Sequence, residues 1–202
     1  MSVISLFSGS YCHGEEVAQK VIDLLGYKLV DDKLLVADAS KRFNIDESKL
    51  QKAIRGKTSI FNKFTHERER SLAGLKVVLS DLIKQDSLVL FSFCGHMVPR
   101  EISHVLKVCT IADIKYRARL AGKLQGFSEK DALKRIHKED EGHVLMVEYA
   151  FNRRDPWDAS LYDIVIPMDK TSPSEAASLI LENLQKEVLK ATDVSRRAVE
   201  NF

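Results

Sequence analysis

Gly9 and Gly14 bound the run Gly9-Ser10-Tyr11-Cys12-His13-Gly14, which has the spacing GxxxxG. A loop of that spacing can turn its backbone N–H groups toward one point. When a helix follows, those amides and the positive end of the helix dipole suit a phosphate. The chemistry served is phosphate binding or phosphoryl transfer. A complete motif continues with Lys and then Ser or Thr, supplying a cation for the β/γ-phosphates and a hydroxyl for Mg²⁺. Here Glu15 and Glu16 stand in those places. Two carboxylates in the first turn suit the helix dipole but repel a triphosphate. The glycine spacing alone equally fits a plain strand-turn-helix, so that bland reading stands beside the phosphate reading.

Other reactive side chains form no recognisable centre. Cys12 and His13 are sequence neighbours, and neighbouring side chains do not normally face each other. No pair of histidines has the short separation of a helical metal site, so no metal is expected and the catalytic residues are unknown.

The elements that must position the loop are legible on either side of it. Val3, Ile4, Leu6 and Phe7 form a short apolar run with β-branched members, as a buried parallel strand requires. From Gly14 the period changes: Val17, Ala18, Val21, Ile22, Leu24 and Leu25 recur at helical spacing, and Gly26 is placed to end the helix. Tyr27–Val30 is a second short apolar run, and Asp31-Asp32 and Asp46 read as caps of two short helices. Arg55–Thr65 is the least periodic stretch, either a substrate-covering loop or a tether packed by Phe61 and Phe64.

Glu67–Gln85 reads as a helix, and Ser87–Cys94, Val105–Ile111 and Asp163–Pro167 read as strands. Strands separated by helical stretches, without hairpin signals, predict an α/β fold. Its form is three-layer α/β/α around a parallel central sheet. Ligands of such sheets bind at the carboxyl ends of the strands, where the Gly9–Gly14 loop falls. Before the last strand, Ile114–Lys123 has helical spacing and Gly126 breaks it. Ser128 with Asp131 opens a second helix through Ala132, Leu133 and Ile136, followed by the polar run His137–His143. This charged hairpin reads as a lid over phosphates or as a solvated hairpin without a ligand. Ser172-Pro-Ser-Glu175 is a capping box for a last long helix.

The chain has 202 residues and a net charge of +2, with Lys and Arg alternating with acids and not clustering. Neither a nucleic-acid nor a membrane footprint is implied. Cys12, Cys94 and Cys109 lack metal spacing and sit in or beside apolar runs, so they are read as reduced thiols of a soluble protein of the cytoplasm. The expected organisation is one domain over residues 1–190. Helical insertions are expected at about 31–65 and at about 112–150, the latter being the lid, and residues 191–202 are expected to be a tail.

The order of parts resembles the cytidylate kinase-like family, a branch of the P-loop nucleoside monophosphate kinases, over nearly the whole chain. The likeness is carried by GEEVAQKVIDLLGYKLVDDKLL from Gly14, IADIKYRARLAGKLQGFSEKDALKRIHKED from Ile111 and DASLYDIVIPMD from Asp158. The resemblance implies phosphoryl transfer from ATP, with Mg²⁺, to a nucleoside monophosphate. It places nucleotide phosphate on residues 9–16, Arg117 near the donor nucleotide, and Arg119, Lys123, Asp140 and His143 in the lid. A protein partner or a homo-oligomer is left open.

Such catalysis is mostly positioning and charge neutralisation, yet the cations of the family pattern are largely missing. The central strand reads Phe91-Ser-Phe-Cys94 with Gly95 and His96 beyond, and Asp140 is followed by Glu141, Gly142 and His143 where relatives carry arginines. Replacement cations could come from Arg100, Lys57, Lys63, Arg153 and Arg154, or from protonated His13, His96 or His143, although loop and helix-end histidines are usually plain surface. Two functions follow: an ATP-dependent nucleoside monophosphate kinase, or a catalytically impaired nucleotide-binding relative using the lid as a switch.

Overall fold

The computed structural model of the protein describes residues 3–54, 66–151 and 155–202, without the side chains of residues 149–151. Its centre is a five-stranded parallel sheet of order β2-β3-β1-β4-β5. The strands are β1 (Val3–Ser8), β2 (Lys28–Asp31), β3 (Leu88–Phe91), β4 (Val105–Ile111) and β5 (Ile164–Pro167). β1 lies between β3 and β4, with Val3 opposite Leu88 and Val105. The chain's first strand is therefore its most protected one, and the loop leaving it emerges at mid-sheet.

Side-chain alternation divides the core into two layers. Ile4 and Leu6 of β1 join Val89, Leu106, Val108 and Ile166 against α1 (Gly14–Leu25) and α7 (Pro173–Leu184). Val3 and Phe7 point the other way, into the layer closed by α2 (Asp32–Phe43), α3 (Glu47–Ile54) and α4 (Glu67–Lys84). Each fully buried Leu or Ile contributes roughly 1.5–3 kcal/mol by leaving water. Local chemistry sets the element ends. Gly26 takes φ 67° after α1, Asp31 accepts from the Leu34 N–H before α2, and Ser172 with Glu175 forms the expected capping box of α7.

The hairpin consists of α5 (Ile114–Gln125), ended by Gly126 at φ 71°, and α6 (Glu129–Phe151). α6 does not stop near Ile136 as its apolar pattern suggested. It runs through the polar stretch 137–143, because solvent-facing residues continue a helix whose buried face resumes at Met146 and Val147. β3 stops at Phe91, short of the expected Cys94. Ser92 accepts from the Cys94 N–H at 2.9 Å and opens a 3₁₀ turn over Phe93–Met97.

Residues after Lys190, read as a tail, instead include helix α8 (Asp193–Glu200). It is fastened to the body by Ser80 Oγ donating to the Val199 carbonyl at 2.8 Å and by a 3.0 Å bond between His104 and Ser195. Among the described residues no helix is long and apolar enough to cross a membrane. The expectations for Arg55–Thr65, and for Lys57, Lys63, Arg153 and Arg154 as replacement cations, lie outside the described residues.

Candidate functional site

The loop between β1 and α1 is held from below and left open at its amides. The Gly9 N–H donates to the Thr110 carbonyl at 3.0 Å, and the Thr110 hydroxyl donates to Ser8 Oγ at 2.8 Å, so β4 fixes where the loop begins. Tyr11 and His13 both adopt left-handed conformations, φ 57° and 54°. Such residues among ordinary ones turn successive N–H groups toward one side. The Cys12 N–H closes a turn on the Gly9 carbonyl at 3.2 Å, while those of Tyr11, His13, Gly14 and Glu15 find no acceptor among the described residues. The arrangement can receive an anion.

Gly14 is required by space. A Cβ there would lie 2.3 Å from Ser8 Cβ and 2.4 Å from Ser8 Oγ. Glu15 and Glu16 project into solvent, and Cys12 is buried, its thiol pushed up to about 11 chiefly by burial, so it is neutral and no nucleophile.

The hairpin sits on this loop, not on the far side of the sheet. Arg117, buried at the start of α5, donates from Nε to the Ser10 carbonyl at 2.7 Å. Its Nη1 and Nη2 meet Asp140 of α6 at 2.9 and 2.7 Å. His13 bridges Glu16 at 2.7 Å and the Tyr116 hydroxyl at 2.9 Å, and the Tyr11 hydroxyl donates to Gln125 at 3.1 Å. Arg117 thus stands beside the loop, with all three of its nitrogens engaged by protein. Arg119 and Lys123 are exposed, away from these contacts.

Where the family pattern would put arginines, the structure has packed rings. Phe7 contacts Phe93, His96 and His143 with ring centroids 5.5, 4.7 and 5.2 Å apart, and Trp157 and Tyr162 complete the cluster. Burial pulls His96 down to about 3, and burial also lowers His143, whose buried Nδ1 has no hydrogen-bond partner among the described residues. Neither imidazole is a cation at neutral pH, which corrects the expectation that they replace missing charge. Arg100, another expected replacement, donates to the Ser160 and Tyr162 carbonyls and pairs with Asp163 at 3.5 Å, remote from the loop.

A cavity of about 720 Å³ lies between α2, α3 and α6, with Asp32, Lys33, Arg135 and Lys138 in its wall. Asp32 accepts from Ser92 and, weakly, from the Phe93 N–H, and its carboxyl is raised above the usual range, first by burial. The sequence reading missed these residues and also Tyr116, Gln125 and Trp157. One signal was available, since Trp157 is the chain's single tryptophan in a polar stretch.

The amides fit a nucleotide phosphate. Mg²⁺ lacks the motif hydroxyl, and the described residues contain no cluster of three or more His, Cys, Asp or Glu side chains around one point.

The model of the cytidylate kinase-like family matches residues 3–170. This chain belongs to the cytidylate kinase-like family. A curated relative named cytidylate kinase, from Sulfolobus acidocaldarius, is 26% identical over 179 residues, covering 87% of this chain and 91% of the relative. Among solved structures, an uncharacterised protein from Eubacterium ventriosum superposes with a TM-score of 0.65 at 16% identity, covering 91% of this chain and 97% of that one. That likeness speaks for the fold. The family's three-layer α/β/α P-loop architecture is present, and its nucleotide-kinase-like character applies to this chain.

Proposed function

We propose that the protein binds a nucleotide through the Gly9–Gly14 loop and uses the hairpin α5–α6 as a switch, with phosphoryl transfer strongly reduced. The observation that carries this reading is the commitment of Arg117. The buried cation nearest the loop already holds Asp140 in a two-point pair and the Ser10 carbonyl besides. Charge moving onto phosphate oxygens would meet backbone amides but no free cation among the described residues of the loop. Loss of one preorganised donor costs on the order of 2.7–4 kcal/mol of transition-state stabilisation. The loss of two or more would slow transfer by several orders of magnitude.

A second reading is an active kinase that moves phosphate from ATP, with Mg²⁺, to a nucleoside monophosphate. It is favoured by the cavity between α2, α3 and α6, which carries Lys33, Arg135 and Lys138 in its wall and is large enough for a mononucleotide.

Calorimetric titration with ATP and with CMP, each with and without Mg²⁺, followed by a coupled assay for ADP release, separates the readings. Saturable binding without turnover is the expected result. Turnover of CMP or another monophosphate would replace the first reading with the second, and absence of any nucleotide binding would remove both.

A further inference from the structure

The central strand carries one residue that its neighbours do not explain. β1 is buried from Val3 to Phe7, yet it places a serine, Ser5, among Val3, Ile4, Leu6 and Phe7. Ser5 is only 6% exposed, and its hydroxyl has no hydrogen-bond partner among the described residues. An apolar residue would be the ordinary choice there.

Ser5 opens into a cavity of about 290 Å³, at the small end of ligand pockets, roughly 300–1,000 Å³. Its wall includes none of residues 9–16 and none of the hairpin, so it is separate from the phosphate loop. Gly95 keeps it open, since a Cβ there would fall 2.1 Å from Ser5 Oγ.

Two cations converge on this cavity, and among the described residues no carboxylate lines it. Lys107 stands directly opposite Ser5 in the β1–β4 register and reaches the Val98 carbonyl with its ammonium. Arg100 lies on the rim, and His96 and Tyr162 supply neutral polar edges beside the face of Phe7. Asp163 accepts from the Lys107 N–H at 2.8 Å and pairs with Arg100, but it does not line the cavity; Glu101 is exposed and outside it as well. Lys107 is half-buried, and burial lowers its ammonium to about 8 against the opposing pull of Asp163.

We propose that this cavity is a binding site for a small oxyanion-bearing molecule, its carboxylate or phosphate held by Lys107 and Arg100 and a hydroxyl or carbonyl group held by Ser5. The ligand would set its negative charge against Lys107 and Arg100 and give the Ser5 hydroxyl a partner. The site shares Phe7, His96 and Tyr162 with the aromatic cluster, so its occupant touches rings that also pack against Trp157 and His143. The proposal does not depend on nucleotide binding.

Methyl-labelled methionine in the full chain tests it. Met97 lies in this cavity's wall, and Met146 lies in the cavity between α3 and α6. Sodium acetate and inorganic phosphate are titrated separately at neutral pH and constant ionic strength. The expected result is a saturable shift of the Met97 methyl with Met146 unmoved, for acetate if the natural group is a carboxylate and for phosphate if it is a phosphate. Lys107→Gln should weaken the response about tenfold or more, and Ser5→Ala should weaken it severalfold. Arg100→Gln, on the rim, provides a second charge test should Lys107→Gln not fold. No saturable Met97 shift with either anion, or an undiminished response in the folded variants, would overturn the proposal.

Discussion

Arg117 and Asp140 tie the two helices of the hairpin together by a two-point ion pair, and the same guanidinium reaches through to the Ser10 carbonyl of the phosphate loop. One side chain therefore sets the hairpin's internal geometry and its distance from the loop. Asp140→Asn should lower the unfolding free energy by about 2–4 kcal/mol, because it leaves a largely buried guanidinium without its counter-charge. The same change frees nitrogens beside the open amides, so ATP affinity should rise while stability falls. Urea denaturation and calorimetric titration of one variant read both signs.

Gly14 tests the loop without touching a charge. An added Cβ would strike Ser8 and press on Phe91. Gly14→Ala should therefore cost about 1–3 kcal/mol of stability, as overpacked sites do, and abolish nucleotide binding by displacing the amides. Gly26→Ala, where no atom lies within 4 Å but φ is 67°, serves as a control. It should destabilise by about 1 kcal/mol with nucleotide affinity intact.

The pH dependence follows from His96. Its folded-state value is near 3 against an ordinary 6.5, so the unfolded chain binds the proton more readily between those limits. Stability is then full above about 6.5 and is lost as the pH falls through the acid range. The downward shifts of His104 and His143 act with the same sign. Asp32 opposes them, since its raised carboxyl favours the folded state while protonated and loses that advantage as the pH rises. His96→Phe should flatten the midpoint-against-pH curve below 6.5, measured by thermal unfolding.

His143 offers the complementary gain. Its ring stands where relatives are expected to carry an arginine, edge-on to Phe7. His143→Arg should destabilise the fold by about 1–3 kcal/mol, because a guanidinium replaces a neutral ring in an aromatic cluster. It should also raise ADP release in the presence of ATP and CMP above that of the unaltered chain. No rise in a folded variant would mean that more than one missing cation limits transfer.

The parts of the fold visible in the sequence were those written in local periodicity. Val105–Ile111 read as a strand and is one to the residue, and the Gly9–Gly14 turn, the Gly126 break and the Ser172 cap all fell where expected. The family followed from three stretches of sequence and is matched over residues 3–170. What local pattern could not show was contact across the fold. His96 and His143 were offered as replacement cations because an imidazole titrates near neutral pH in water, whereas the fold brings Phe7 and Phe93 against both and half-buries them. α8 was missed for a similar reason. Only Ser195 and Val199 of that short helix are buried, too few to mark a stripe. The pairing of Arg117 with Asp140 spans 23 positions, beyond any helical repeat.

Trp157 sits against the phosphate loop, its indole nitrogen 3.5 Å from where a side chain on Gly9 would begin, and the protein contains no other tryptophan. Its intrinsic fluorescence should therefore report on that loop and on the rings packed beside it. Every ligand arriving at the amides, and every movement of the hairpin that disturbs the rings beside them, would be written into the emission of an unlabelled sample.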